Sequence, residues 1–339
     1  MTIKSKKNTL LVLAVIATIF VGVIVFLFTR NYEPDAGVIF GVTFSQKYAE
    51  ELNLDWRETY LAILDELQVS HLRLVAYWDV IEAKEGEYDF ADLDWQVSLA
   101  DQRGRNIMLS VGRRMPRWPE CHDPAWLTQK TEEEIRTSQL AFVKEVVERY
   151  KEYDSIISWQ VENEPLFSWF GHCPKPDYDF LAQEVELVRS LDQRPIVITD
   201  SGELNDWQRA ASLADVLGIT MYRVVWNEYL GFWDYFFAPP SIYTYKAKLT
   251  EFFNKDLTEV IVTELQMEPW TIGKPMVELT LEEQEKSFDL DRFNDNIAYV
   301  KKTGFTQAYV WGVEYWYWLN KQGYSDIWNQ AKTLWSANN

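Results

Sequence analysis

The first pattern along the chain is a run of nineteen apolar or small residues, Leu10–Phe28, unbroken by charge. At a rise of about 1.5 Å per residue, a helix of this length nearly matches a hydrocarbon layer ~30 Å thick. Lys4, Lys6 and Lys7 precede the run, and Glu33 and Asp35 follow it. By the positive-inside rule that asymmetry leaves the N-terminus in the cytoplasm and the rest of the chain outside. A cleaved signal peptide is the competing reading. Against it, the run is longer than the usual hydrophobic region of a signal, and no small-x-small cleavage site stands clearly after it. The predicted organisation is a short cytoplasmic segment (1–9), a transmembrane signal-anchor (10–29), a linker (30–36) and one folded domain (37–337). That domain is extracytoplasmic, at the cell surface or in the periplasm, and secreted if the anchor is cleaved.

Beyond the linker, short β-rich runs alternate with longer amphipathic ones. The strand candidates are Val38–Phe44, His71–Ala76, Asn106–Gly112, Ile156–Glu162, Pro195–Asp200, Val216–Tyr222, Glu259–Leu265 and Thr306–Gly312. Helical periodicity is clearest in Trp56–Leu67, Glu133–Tyr150, Phe180–Ser190 and Leu281–Lys302. In the last of these Phe288, Phe293, Ile297 and Val300 recur at helical spacing, with acids at the start and Lys301 and Lys302 at the end. Eight β-runs, each followed by a helix-compatible segment, predict a parallel α/β protein. Runs such as Val260-Ile261-Val262 and Ile196-Val197-Ile198 are apolar on both faces, as in strands covered on both sides. An open doubly wound sheet is the alternative; a nucleotide-binding one would carry a Gly-rich turn after the first strand, and Val38–Ser45 shows none. The prediction is therefore a (β/α)8 TIM barrel, which typically needs about 250 residues, preceded by one transmembrane helix.

Charge narrows the partners. The net charge is −19, and the first thirty residues carry only basic charges, so the folded domain is more acidic still. Such a surface repels a phosphate backbone, which excludes nucleic acid as a partner. The two cysteines, Cys121 and Cys173, follow the third and fourth strands, which are neighbours in a barrel. An outside location permits a disulfide between them. Two free thiols, or a zinc site completed by His122 and His172, are the other readings. Adjacent residues rarely both reach one metal, and the spacing is not that of a zinc knuckle.

In a barrel of this kind, chemistry collects at the C-terminal ends of the strands. The fourth strand ends in Glu162-Asn163-Glu164-Pro165 and the seventh in Thr263-Glu264, so Glu164 and Glu264 fall at one mouth. Two carboxyl groups roughly 5–5.5 Å apart are what retaining glycoside hydrolysis requires: one protonates the leaving oxygen and the other attacks the anomeric carbon. Glu162 is expected to point away from its neighbour Asn163, because side chains alternate along a strand.

Asn163-Glu164-Pro165 after an apolar strand resembles the acid/base signature of the clan A glycoside hydrolases, retaining (β/α)8 enzymes that include cellulase-like, mannanase-like and β-galactosidase-like families. The resemblance spans residues 38 to about 335. It implies Glu164 as acid/base, Glu264 as nucleophile, Arg73 and Tyr222 as groups that hold the nucleophile, and Trp311 as the aromatic floor of the sugar site. It also implies that Asn163 bonds the sugar 2-hydroxyl. The segment Trp78–Glu82 with Glu85–Phe90 is similar to the loop after the second strand in β-galactosidase-like members. Physically, Glu164 beside a negative Glu264 should hold its proton until it donates. The expected function is a retaining β-glycosidase acting on an extracytoplasmic oligo- or polysaccharide. A transglycosylase using the same residues, and a catalytically silent sugar-binding barrel, are the alternatives. No metal, nucleotide or organic cofactor motif is present, and no protein partner is identifiable.

Many clan members place histidines near the ends of strands three and six. Here strand three runs into Gly112-Arg113-Arg114 and strand six reads Ile219-Thr220-Met221-Tyr222, so those contacts are absent or replaced, with Arg113 the nearest stand-in. Among sixteen tryptophans, Trp78, Trp118, Trp169, Trp226, Trp270, Trp316 and Trp318 follow strands, and three or four of them are expected to touch substrate. The aromatic segment Tyr229–Pro240 is expected to form a lid or a membrane-facing patch.

Overall fold

The computed structural model describes residues 3–34, 37–235 and 237–336. The first two residues of the cytoplasmic segment, the end of the linker (Asp35 and Ala36), Phe236 within the aromatic segment, and the last residue of the predicted domain (position 337) lie outside the described residues.

A single helix, α1 (Ile3–Thr29), precedes the barrel, and Leu11–Thr29 within it is long and apolar enough to cross a membrane. Among the described residues ten strands follow: β1 (Ile39–Thr43), β2 (His71–Val75), β3 (Asn106–Val111), β4 (Ile156–Val161), β5 (Ile196–Asp200), β6 (Val216–Met221), β7 (Val224–Asn227), β8 (Gly231–Asp234), β9 (Glu259–Gln266) and β10 (Gln307–Trp311). Eight of them close a parallel barrel in the order β1-β10-β9-β6-β5-β4-β3-β2, while β7 and β8 form a separate antiparallel hairpin. The chain folds as the predicted TIM barrel, and the hairpin occupies part of the aromatic segment that follows β6.

The apolar runs become strands because both faces are buried: one against the barrel axis, the other against the helices. Met108, Val197, Val216, Ile261 and Tyr309 form the inner cluster. Gly41 is required there, since a Cβ on it would stand 2.6 Å from the Tyr309 ring. The C-terminal helix, Asp326–Ser336, returns to the first strand, where Trp335 Nε1 donates to the Phe40 carbonyl at 2.8 Å.

Two helical readings need correction. Leu281–Lys302 is not one helix but two, Leu281–Glu285 and Leu290–Lys301, because the Asp289 side chain accepts from the Arg292 N–H and caps a new start. Phe288 keeps the apolar rhythm from the connection between them, buried at 1% exposure. The Trp56–Leu67 segment is α-helical to Ala62 and continues as a π turn over Ile63–Leu67.

The ladder is irregular at one place that bears on chemistry. Against β6, Ile219 pairs with Val262 but Thr220 pairs with Glu264, and against β10 the register also slips across this point. Thr263 is thus an extra residue in β9. Bulges of this kind re-aim the side chains next to them, and here the residue so placed is Glu264.

Candidate active site

Glu264 lies 3% exposed at the barrel mouth. Its two oxygens are held from two sides: Arg73 Nη1 donates to Oε1 at 3.1 Å, and the Tyr222 hydroxyl donates to Oε2 at 3.0 Å. Arg73 reaches it from β2, fully buried inside the barrel, and is itself fixed by Gln160 Oε1 at 2.7 Å and Asn163 Oδ1 at 2.6 Å. One guanidinium therefore ties the end of β4 to the end of β9.

The β4 end is built to present its side chains. Glu162 and Glu164 both adopt positive φ, 60° and 43°, a conformation that costs energy outside glycine and concentrates at functional sites. Glu162 turns away from the mouth and accepts from the backbone N–H groups of Arg113 (2.7 Å) and Arg114 (2.6 Å) and from Gln139 (2.8 Å). Gly112 makes that approach possible: it sits at φ +129°, and a Cβ there would stand 2.2 Å from Glu162 Oε1. Asn163 Oδ1 also accepts from Thr199 at 3.2 Å, and Thr199 Oγ1 in turn accepts from the Glu164 N–H at 2.7 Å. Burial pushes the Glu164 carboxyl well up, and the charges of Glu264 and Glu120 push it further. The two carboxyls thus occupy different electrostatic settings: Glu264 is bonded by a cation and a hydroxyl donor, while Glu164 faces chiefly anions, with Arg114 opposing them.

The loop after β3 supplies residues that the sequence reading missed. Glu120 accepts from Asn163 Nδ2 at 3.2 Å and pairs with Arg114 at 3.5 Å. Its carboxyl is raised to about 7 by burial, against the pull of Arg114 and with a push from Glu264. Arg117 is paired with Glu268 and, at 3.1 Å, with Glu314. Its guanidinium lies 3.6 Å from the Tyr48 ring centroid and 4.1 Å from that of Trp311. Trp311 is therefore at the mouth as expected from its strand, but Arg117 stacks on its ring. Among the described residues, the buried Arg117 Nε and Glu268 Oε2 find no partner at hydrogen-bonding geometry, though the Tyr48 hydroxyl lies beside the Glu268 carboxylate. Arg113, the expected stand-in for a histidine, forks onto Asp123 at 2.7 and 2.6 Å. The available signal was charge density: Arg113, Arg114, Arg117 and Glu120 crowd into one loop after an otherwise apolar strand.

Of the seven tryptophans singled out, Trp78 and Trp316 are fully buried. Trp78 stacks on Phe142 in the core, and Trp316 donates to the Met267 carbonyl. Neither can meet a substrate. Trp118, half exposed, begins an aromatic arc through Phe170 and Trp270 to Tyr222, with successive ring centroids 5.5, 6.1 and 5.4 Å apart.

Cys121 and Cys173 are joined in a disulfide across 52 residues of chain, which removes the zinc reading. The bond lies next to Glu120 and ties the loop after β3 to the loop after β4. Closing a loop of that length stabilises the fold by at most about 4 kcal/mol through lost unfolded-chain entropy. Reduction, or Cys121→Ser with Cys173→Ser, should lower Tm and weaken whatever binding depends on Glu120. An unchanged Tm under reductant would show that the bond carries no stability.

Residues 53–174 match glycosyl hydrolase family 10, a span that contains Asn163 and Glu164 but ends well before Glu264. The chain is 22% identical over 173 residues to the β-galactosidase Pbg of Clostridium perfringens, covering 43% of this chain and 24% of that protein. To the β-galactosidase BgaA of Clostridium cellulovorans it is 21% identical over 192 residues, or 49% and 28% of the two chains. The likeness is to the clan A glycoside hydrolases. The chain spans about a quarter of the length of these curated relatives. Among solved structures, a GH5_18 protein from Streptomyces cattleya in complex with GlcNAc superposes with a TM-score of 0.58 at 14% identity, over 91% of this chain and 82% of that one. Xylanase 10B from Thermotoga petrophila gives 0.50 at 15% identity, over 81% and 82%. At these identities the clan A structures speak for the barrel alone.

Proposed function

We propose that this chain is a retaining β-glycosidase, with Glu264 as nucleophile and Glu164 as acid/base. The observation that carries the reading is the asymmetry of the two buried carboxyls: Glu264 is gripped by Arg73 and Tyr222, while Glu164 is lifted by burial and by the neighbouring anions. In the first step Glu264 attacks the anomeric carbon while Glu164 gives its proton to the departing oxygen. That proton transfer contributes about 10²–10⁴-fold in rate. A covalent α-glycosyl–enzyme results. In the second step Glu164, now ionised, takes a proton from water as the water displaces Glu264, and the β configuration is restored.

Asn163 would bond the sugar 2-hydroxyl, sharing its Nδ2 with Glu120, and Trp311 would border the sugar beneath Arg117. Arg117 Nε, buried and without a hydrogen-bond partner among the described residues, suits a polyhydroxylated ligand. Each buried polar atom left without a partner costs about 1–3 kcal/mol, which a sugar hydroxyl would offset. In the same reading α1 anchors the barrel outside the cytoplasmic membrane, and the substrate is an extracytoplasmic oligo- or polysaccharide.

The test is a panel of aryl β-glycosides and β-linked polysaccharides given to the detergent-solubilised protein, with product configuration followed by NMR. The expected first product is the β-anomer. The rate should fall as pH rises through the lifted Glu164 value, since the donated proton is then gone. Net inversion would eliminate the double displacement. Products extended by an added acceptor sugar would identify transglycosylation, and silence across the panel would favour a binding protein.

A further inference from the structure

Barrel helices usually show water a polar face. The helix Pro240–Phe253, which covers the wall between β6 and β9, shows a largely apolar one, broken by Lys248. Ser241, Tyr243, Thr244, Ala247 and Thr250 face inward and are buried. On the opposite side Ile242, Leu249, Phe252 and Phe253 are 38%, 54%, 63% and 66% exposed. Ile242, Tyr245, Leu249 and Phe252 follow one another at three- and four-residue steps, which places them on a single stripe. The β7–β8 hairpin, which precedes it closely in the chain, adds Tyr229 and Leu230, 87% and 68% exposed, and Trp233 at 42%. An exposed apolar stripe like that of the helix marks a partner or a membrane.

The course of the chain says which. The last turns of α1 meet the barrel at this same stripe. Ser241 donates to the Leu27 carbonyl, the Phe26 ring lies 6.1 Å from that of Tyr245, and the Tyr32 and Tyr245 hydroxyls bond at 2.6 Å. Lys248 lies 4.7 Å over the Tyr32 ring and Lys255 lies 4.5 Å over Phe252, so cations edge the stripe as they do at lipid headgroups. Tyrosine, tryptophan and lysine together are the side chains that settle at that boundary.

We infer that the outer face of the Pro240–Phe253 helix and the β7–β8 hairpin lie in the headgroup layer of the bilayer that α1 crosses. This rests on the anchoring proposed above and goes beyond it: the barrel is seated on its β6–β9 wall, and its mouth opens along the membrane surface.

The experiment uses the full chain in nanodiscs, with the native disulfide intact. Single nitroxide labels are placed through Val15→Cys, Tyr229→Cys, Phe252→Cys and Asp101→Cys. Asp101 is exposed on the helix Ala91–Gln102, on the opposite wall of the barrel. Power saturation with oxygen and with a nickel chelate reports depth. The expected result is lipid-like accessibility at positions 229 and 252, intermediate between a deep position 15 and an aqueous position 101. Aqueous values at 229 and 252 with a deep 15 would overturn the seating while leaving the anchor. An aqueous 15 would remove the anchor as well. Spin broadening at 252 that vanishes on dilution with unlabelled protein would show a second copy on the stripe and would also overturn it.

Discussion

Glu264→Ala is expected to lower kcat on aryl β-glycosides by on the order of 10⁴-fold or more, because removing a covalent nucleophile removes the reaction path rather than one interaction along it. The truncated side chain leaves space beside Arg73 and Tyr222, both of which face the carboxylate in the intact protein. Azide is small enough to enter from that side and attack the anomeric carbon, so it should restore turnover and yield the α-glycosyl azide. In Glu164→Ala the same anion should enter from the acid/base side after glycosylation and yield the β-azide. The two azide products, separated by NMR, assign the two carboxyls independently. Activity that survives Glu264→Ala would sink the assignment outright.

The second large effect concerns stability. Arg73 is fully buried and donates to Glu264, Gln160 and Asn163 at once. Arg73→Met keeps much of the volume but leaves a buried carboxylate without its cation and the Gln160 amide oxygen without its donor. Breaking a buried pair from one side typically costs about 3–5 kcal/mol, because the remaining charge is uncompensated. Denaturant unfolding should show a loss of that size, and Glu264→Gln in the same background should recover part of it by removing the stranded charge. If Arg73→Met alone unfolds at the wild-type midpoint, the carboxylate does not depend on this arginine.

The barrel was legible because its strands are apolar on both faces, whereas a strand with one face in water alternates. Val260-Ile261-Val262 needs no partner to declare itself, and the polar residues that close such runs, Glu164 and Glu264, stand out by contrast. The bulge at Thr263 was not legible, since one extra residue changes register without changing composition. Nor was the break before Leu290, because Phe288 preserves the helical rhythm while Asp289 caps. The largest omission, the group formed by Arg117, Glu268 and Glu314, joins side chains as far apart as 197 residues. Arg117 sits in a charge-dense loop, but Glu268 and Glu314 look in sequence like ordinary surface polarity, and only the fold turns them inward. Trp78 and Trp316 err the other way: proximity to a strand end does not distinguish a rim aromatic from one that fills the layer beneath.

The sequence marks the segment after α1 as a linker, yet Tyr32 is stitched into the barrel. Its N–H bonds the Lys302 carbonyl at 3.0 Å, and its hydroxyl bonds Tyr245. A tether grants an enzyme a search volume that grows with the slack in the tether. Here the joint has almost none, so a barrel held by α1 would swing little and reach no farther than its own radius. Such an enzyme does not forage. Under the proposed anchoring it would work on glycans that come to it in the thin zone beside its own bilayer, and lengthening the joint would widen its territory without altering a single proposed catalytic group.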